Sequence, residues 1–151
     1  MAKNSAFDIP KPYFPDDLKY GKRGEAVVEQ FLKDIGQGSL EVKSDRYRNG
    51  RMVLEIEQNP KGRGWKPSGL SVTEAKWWVY QYNLDGAFTI VNVDRARRYI
   101  ELNKNRLELK LFGVRGDNAS RGYLLEPTDV TDLLTNPEYD GVPLDEQAHA
   151  D

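Results

Sequence analysis

A group of charged residues in the segment 41–57 has the composition needed to hydrolyse a phosphodiester bond. Its members are Glu41, Lys43, Asp45, Glu55 and Glu57. Carboxylate oxygens are the ligands that Mg²⁺ prefers, and four carboxylates crowded on one patch repel one another unless a cation lies between them. A lysine beside such a site can polarise the attacking water or stabilise the charge that develops on phosphorus. We therefore predict that the four carboxylates bind Mg²⁺ or Mn²⁺ and that Lys43 stabilises charge.

The rest of the composition removes several other kinds of active site. The chain has 151 residues, no cysteine and one histidine. That histidine, His149, lies at the extreme C-terminal end of the sequence, which argues against a Ser/His/Asp triad and against a multi-histidine metal site. Without cysteine there is no thiolate zinc site and no cysteine nucleophile. Carboxylates, lysines and hydroxyls are the groups left to do chemistry.

A β-hairpin would place these charges together. The strand-like runs 39–46 and 51–58 are joined across Asn49-Gly50, a strong hairpin signal. With a three-residue loop, Lys43 opposes Glu55 and Glu41 opposes Glu57, and the apolar residues fall on the other face. A two-residue turn would scatter the charges over both faces. The sorted pattern favours the longer loop, but strands of half-buried sheets also carry charges on their solvent side without any catalytic role.

The loop 59–69 carries the residues expected to bind nucleic acid. Cations there would contact phosphates, and Trp65 would stack on an unpaired base. A solvated flexible loop is the alternative. The predicted contact residues are Lys61, Arg63, Trp65, Lys66, Ser68 and, one helical turn beyond Thr73, Lys76.

Local patterns predict the remaining elements. Apolar periodicity predicts a first helix from about residue 21 to 33. Ser71 with Glu74 resembles a capping box and predicts a helix over 71–82, with Trp78 in the core. A buried strand is expected at 87–93, and Asp94 is expected to cap a helix through residue 102. Two short strands, 107–112 and 123–125, and a helix over 128–134 complete the prediction. The arginines at 95, 97 and 98 are expected to be mostly solvated.

The order of these elements resembles the PD-(D/E)XK nuclease superfamily, and more narrowly its small phage proteins. The resemblance covers roughly residues 20–134. The motifs that carry it are Arg23-Gly24-Glu25, Leu40-Glu41-Val42-Lys43-Ser44-Asp45, Val53-Leu54-Glu55-Ile56-Glu57, Lys66-Pro67-Ser68-Gly69-Leu70, then Thr73, Ala75, Trp78 and Val79, and more weakly Gly116-Asp117 and Gly122-Tyr123-Leu124-Leu125.

This resemblance implies an α/β fold, a mixed β-sheet flanked by helices with a restriction-endonuclease-like α-β-β-β-α-β core. It also implies Mg²⁺- or Mn²⁺-dependent cleavage of DNA, a relation to junction-resolving nucleases, and Glu25 as a further ligand. The strand that usually precedes Glu-x-Lys has no room here. Either Glu41-Val42-Lys43 is the motif and its acidic partner is missing, or Glu41 or Asp45 is the partner and Glu55-Ile56-Glu57 replaces Glu-x-Lys. The second match is favoured. A protein that keeps the fold as an inactive nucleic-acid-binding or phage assembly module is the other expectation.

Length and charge set the remaining expectations. One domain over 20–134 is predicted, with an N-terminal arm over 1–19 and a polar tail over 135–151. The formal net charge of −2 means that any DNA-binding surface must be local. No apolar run spans a bilayer and no secretory signal is visible, so a cytoplasmic protein without membrane contact is expected. Association into a homo-oligomer stays open.

Overall fold

The computed structural model describes residues 14–83 and 85–141. These residues fall into two compact units, of which the second runs from Asp34 to Gly141. The described part of the first unit is helical, residues 14–33 of a helix α1 that spans Phe14–Gly36. The helix predicted over 21–33 is confirmed, but it begins seven residues earlier. The acidic residues at 16 and 17 lie in its first turn, where their negative charge interacts favourably with the helix dipole.

Two β-sheets form the second unit. The first contains β1 (Leu40–Ser44), β4 (Trp77–Asn83) and β5 (Ala87–Asn92), in the order β1-β4-β5. β1 runs parallel to β4, and β5 runs antiparallel to it. The strand predicted over 87–93 is therefore confirmed. Residues opposed in neighbouring strands share a face, so the register of β1 on β4 puts Glu41 beside Trp78 and Lys43 beside Tyr80.

The second sheet is antiparallel and has the order β3-β2-β7-β6. Its strands are β2 (Met52–Pro60), β3 (Lys66–Pro67), β6 (Glu108–Phe112) and β7 (Asn118–Leu125). The two short strands predicted near the C-terminal end are confirmed, although the second of them starts five residues earlier than predicted. A register shift between Glu55 and Glu57 interrupts the pairing of β2 with β7, so Glu55 opposes Gly122 and Glu57 opposes Arg121.

The predicted helix over 71–82 is wrong. A 3-10 turn, Gly69–Ser71, occupies its start, and β4 occupies its second half. The apolar residues that suggested helical spacing also fit alternation, because Trp78 and Tyr80 are buried two residues apart while their neighbours are half-buried. Tryptophan, tyrosine and valine favour strands. Pairing with both β1 and β5 decides between the two periodicities.

The predicted hairpin of residues 39–58 is also wrong. β1 and β2 belong to different sheets, and the backbone amide of Asp45 donates to the carbonyl of Gln81, which prolongs the contact of β1 with β4. The Asn49-Gly50 pair does form a bend with a positive φ of 77° at the glycine. That bend turns the chain from one sheet to the other.

Two helices complete the second unit, α2 (Val93–Asn103) and α3 (Pro127–Thr135), both close to their predicted bounds. The cap of α2 is Asn92 rather than Asp94, since the Asn92 side chain accepts from the amides of Asp94 and Arg95. Each helix buries one face, with Val93, Ala96, Tyr99, Val130 and Leu133 in the same core as Met52, Leu54 and Trp78. The fold is mixed α/β, as predicted. No helix within the described ranges is long and apolar enough to cross a membrane.

Candidate functional site

Three of the predicted catalytic residues meet where β1 approaches β2. The ammonium nitrogen of Lys43 lies 3.1 Å from a carboxylate oxygen of Glu41 and 3.8 Å from one of Glu55. The three side chains are partly exposed, at 31%, 28% and 22%. The contact of Lys43 with Glu55 was predicted from a hairpin register that does not exist. It arises instead because the two sheets bring β1 and β2 together.

A tight turn between β3 and β4 holds Glu55 in place. The Ser68 hydroxyl donates to the Glu55 carboxylate at 2.8 Å. The next residue, Gly69, has a φ of +51°, and a Cβ there would lie 2.4 Å from the Glu55 carbonyl oxygen. Only glycine fits such an approach. Arg97 of α2 fixes the far side of the turn, donating to the carbonyls of Leu70 and Thr73.

The surroundings of Glu41 favour its ionised form. Burial by itself would raise its pKa, but hydrogen bonds from the Thr73 hydroxyl and the Lys43 ammonium, together with the charge of Lys43, hold the pKa below its usual value. Lys43 also lies 5.5 Å from the centre of the Trp78 ring, within range of a cation–π interaction. The cluster is therefore a charged, hydrogen-bonded group that rests on the apolar core.

Asp45 and Glu57 lie outside this cluster. Asp45 accepts from the backbone amide of Tyr47 and from the hydroxyl of Tyr80. Burial, followed by the charge of Asp45, raises the pKa of that phenol. Glu57 instead pairs with Arg121 at 2.8 Å.

The expected single acidic face is therefore wrong, and the register shift in β2 explains why. Glu55 opposes Gly122 and Glu57 opposes Arg121, its neighbour on β7. Consecutive strand residues point to opposite faces, so the two glutamates do as well. Among the described residues, no three histidine, aspartate or glutamate side chains are gathered closely enough to hold a metal ion. Glu25 lies on α1 in the first unit, whereas the cluster consists of residues of the second unit alone.

The loop that joins β2 to β3 carries the predicted nucleic-acid contacts. Lys61, Arg63, Trp65 and Lys66 are all exposed. Ser68 belongs to the acidic cluster instead, through its bond to Glu55. Lys76 is also exposed, but it precedes β4 rather than lying on a helix, and its amide donates to the Ser39 hydroxyl.

Of the three arginines of α2 that were predicted to be solvated, Arg97 is exposed, whereas Arg95 and Arg98 are half-buried. Arg95 donates to the carbonyls of Leu133 and Asn136, each at 2.7 Å, and Arg98 donates to the carbonyl of Tyr139. These bonds satisfy carbonyls at and after the end of α3. The three arginines of the helix therefore hold loops and helix ends rather than a ligand.

Three residues near the site escaped sequence reasoning. Thr73 donates to Glu41, Arg97 fixes the turn below Glu55, and Arg121 pairs with Glu57 while its guanidinium lies 3.9 Å from the centre of the Trp65 ring. Each makes a contact that depends on the packing of elements distant in sequence. Arg121 stands between Ser120 and Gly122, a context that by itself signals neither an ion pair nor a ring contact.

No protein-family model, curated protein or solved structure matches this chain. The residues and their geometry are thus the grounds on which a function can be argued.

Proposed function

We propose that this chain is a divergent PD-(D/E)XK nuclease that hydrolyses DNA phosphodiester bonds with Mg²⁺ or Mn²⁺. The observation that carries the proposal is the convergence of Glu41 and Lys43 of the first sheet with Glu55 of the second. The Ser68-Gly69 turn holds Glu55 in place. If Glu55 were only a solvent-exposed charge, its position would not depend on the close approach of Gly69 to its backbone. This construction places two carboxylates and one cation at a fixed, partly exposed point.

The donor chemistry of the cluster suits a hard divalent cation. Glu41 and Glu55 already converge on one positive charge, that of Lys43, and the lowered pKa keeps Glu41 ionised. Mg²⁺ is usually held by one or two carboxylates, with water and substrate phosphate in the remaining positions. Glu41 and Glu55 would hold the ion. When bound, it would polarise the phosphoryl oxygen and activate water.

Lys43 has a separate part in the proposed reaction. Its ammonium pairs with Glu41 at 3.1 Å and lies 3.8 Å from Glu55, so a phosphate that approaches the cluster meets a positive charge held between two carboxylates. Charge that is fixed before the reaction stabilises the transition state without reorganisation. We propose a match to the superfamily pattern that differs from both sequence-based alternatives, with Glu41-Val42-Lys43 as the Glu-x-Lys motif and Glu55 as its acidic partner. We further propose that β1, β4 and β5 correspond to part of the restriction-endonuclease-like core.

Cleavage of DNA with and without divalent cations tests the proposal. We expect the protein to cleave with Mg²⁺ or Mn²⁺ and to be inactive in EDTA. Glu41→Gln, Glu55→Gln and Lys43→Met should each lower the rate by about 100-fold or more, the scale on which loss of one charge-stabilising group acts. Glu108→Gln is the matched control, since Glu108 is an exposed strand glutamate. Unchanged rates in both glutamine variants of the cluster would refute the site.

The second candidate is a nucleic-acid-binding or phage assembly protein with the same fold and no catalysis. The observation that favours it is the placement of Lys43, whose charge already offsets one of the two negative charges of Glu41 and Glu55 where a divalent cation would bind. This candidate predicts salt-sensitive DNA binding with no cleavage under any metal. The cleavage assay, run beside a binding titration at two salt concentrations, separates the two candidates.

A further inference from the structure

A tryptophan of the loop between β2 and β3 stacks on an arginine of β7. The guanidinium carbon of Arg121 lies 3.9 Å from the centre of the Trp65 ring, close enough for direct stacking. Arg121 is itself anchored, because one of its terminal nitrogens pairs with Glu57 at 2.8 Å. Its Nε is buried and has no hydrogen-bond partner within the described residues. The stack therefore connects the loop residue Trp65 to two neighbouring strands, β2 and β7.

The stack leaves part of the indole open. Trp65 is 38% exposed, whereas Trp78 is fully buried and Trp77 is half-buried. The Arg121 guanidinium lies against one face of the Trp65 ring, so the opposite face is the one on which a base could stack. An exposed tryptophan normally loses rotamer freedom when it binds a ligand, and this cost is reduced when a neighbour already holds the ring.

The charges around this ring attract a polyanion. Lys61, Arg63 and Lys66 lie on the same loop as Trp65, all exposed, and the described part of the chain offers them no ion pair. Surface cations that are not neutralised by carboxylates can bind phosphates. An aromatic face combined with adjacent free cations is the arrangement that binds single-stranded nucleic acid, in which bases stack and phosphates contact lysine or arginine.

We infer that Trp65, backed by Arg121, is a stacking platform for an unpaired nucleobase, and that single-stranded DNA or a single-stranded branch is the ligand. This inference rests on the proposed function, for which it names the substrate class. A base within a duplex has both faces covered by its neighbours, so only an unpaired or terminal base can stack on the indole. Lys66 opposes Gln58 on β2, three residues from Glu55, which is about 10 Å along a strand. The platform itself belongs to the face of this sheet opposite to that of Glu55, because Arg121 opposes Glu57 and pairs with it.

Binding measured in EDTA tests the platform without any contribution from hydrolysis. We would titrate the full-length protein into a fluorescently labelled oligothymidine and follow anisotropy, then compete with covalently closed duplex DNA, which has no ends. Trp65→Ala should weaken binding of the oligothymidine by about 10-fold or more, because stacking of one base has an effect of this size. Trp65→Phe should stay within about threefold of the unaltered protein, since phenylalanine also stacks. The closed duplex should compete weakly.

Two further variants serve as controls. Arg121→Lys keeps the positive charge but removes the planar group below the indole, so we expect intermediate loss of affinity. Phe88→Ala removes an aromatic residue of β5 that is 51% exposed and should have no effect. The inference is overturned if the unaltered protein does not bind oligothymidine, if Trp65→Ala binds as the unaltered protein does, or if closed duplex competes equally. If any of these results is obtained but the protein still cleaves DNA with a divalent metal, only the stacking platform is refuted. If Trp65-dependent binding is found without cleavage, only the nuclease activity is refuted.

Discussion

Replacement of Gly69 by alanine should lower the free energy of unfolding more than the same change at a glycine whose Cβ position is unobstructed. Two costs combine at this position. Gly69 has a φ of +51°, and its added Cβ would lie 2.4 Å from the Glu55 carbonyl oxygen and 2.9 Å from the carbonyl carbon. The left-handed conformation costs an alanine about 1–2 kcal/mol. Forcing extra volume into a packed site costs about 1–3 kcal/mol more. We expect a total loss of about 3 kcal/mol in the free energy of unfolding.

Gly62→Ala isolates the first of these costs. Gly62 also has a positive φ, +65°, but no atom lies within 4 Å of the Cβ position. It should therefore lose only about 1–2 kcal/mol. Urea denaturation followed by tryptophan fluorescence measures both variants. With a typical slope of about 1–3 kcal/mol per molar urea, the midpoint of Gly69→Ala should lie roughly 1 M below that of Gly62→Ala. Equal midpoints would show that the approach of Gly69 to Glu55 is not a constraint on this fold.

Two pH-dependent predictions follow from the shifted pKa values. The pKa of Glu41 is lowered in the folded state, so its contribution to stability is present above the usual glutamate pKa and is lost as the pH falls through the folded value. As the pH is lowered below the usual glutamate pKa of about 4.3, urea midpoints measured without metal should fall more in the unaltered protein than in Glu41→Gln. Parallel curves would contradict this. Burial, with Asp129 nearby, raises the pKa of Tyr99 to about 12. Folding therefore favours the neutral phenol, and stability should be lost as the pH rises from about 10 to 12, by less in Tyr99→Phe; thermal melts across this range would show no difference if the shift were absent.

Elements whose signals are local could be predicted from the sequence. α2 and α3 were placed within a few residues, because a capping side chain and helical periodicity act within one or two turns. β5 and β6 were also found. The cap of α2 shows the limit of such signals: Asn92 and Asp94 are both capping residues, and the end of β5 at Asn92 determines which of them caps the helix.

Strand pairing could not be predicted in the same way. The Asn49-Gly50 pair gives a local turn signal, and that signal predicts β2 as the partner of β1. In the structure β1 finds its partner 37 residues away, where Leu40 opposes Trp77. That parallel pairing depends on Trp78 and Tyr80 filling the core, which no hairpin would achieve. The false helix over 71–82 is a consequence of the same missing information, since β4 is a strand because it has neighbours on both sides.

The candidate site was predicted in composition but not in construction, and the difference bears on its chemistry. A hairpin would have presented four carboxylates on one face. They would bind a metal strongly and would repel one another when no metal is bound. The structure instead gives two carboxylates that share one lysine, with Asp45 and Glu57 each bonded elsewhere. Lys43 offsets one of the two negative charges, so this cluster repels itself less than four carboxylates would when no metal is bound. We therefore expect the metal affinity of the protein alone to be weak and to rise when DNA supplies phosphate oxygens, because the protein contributes only two ligands.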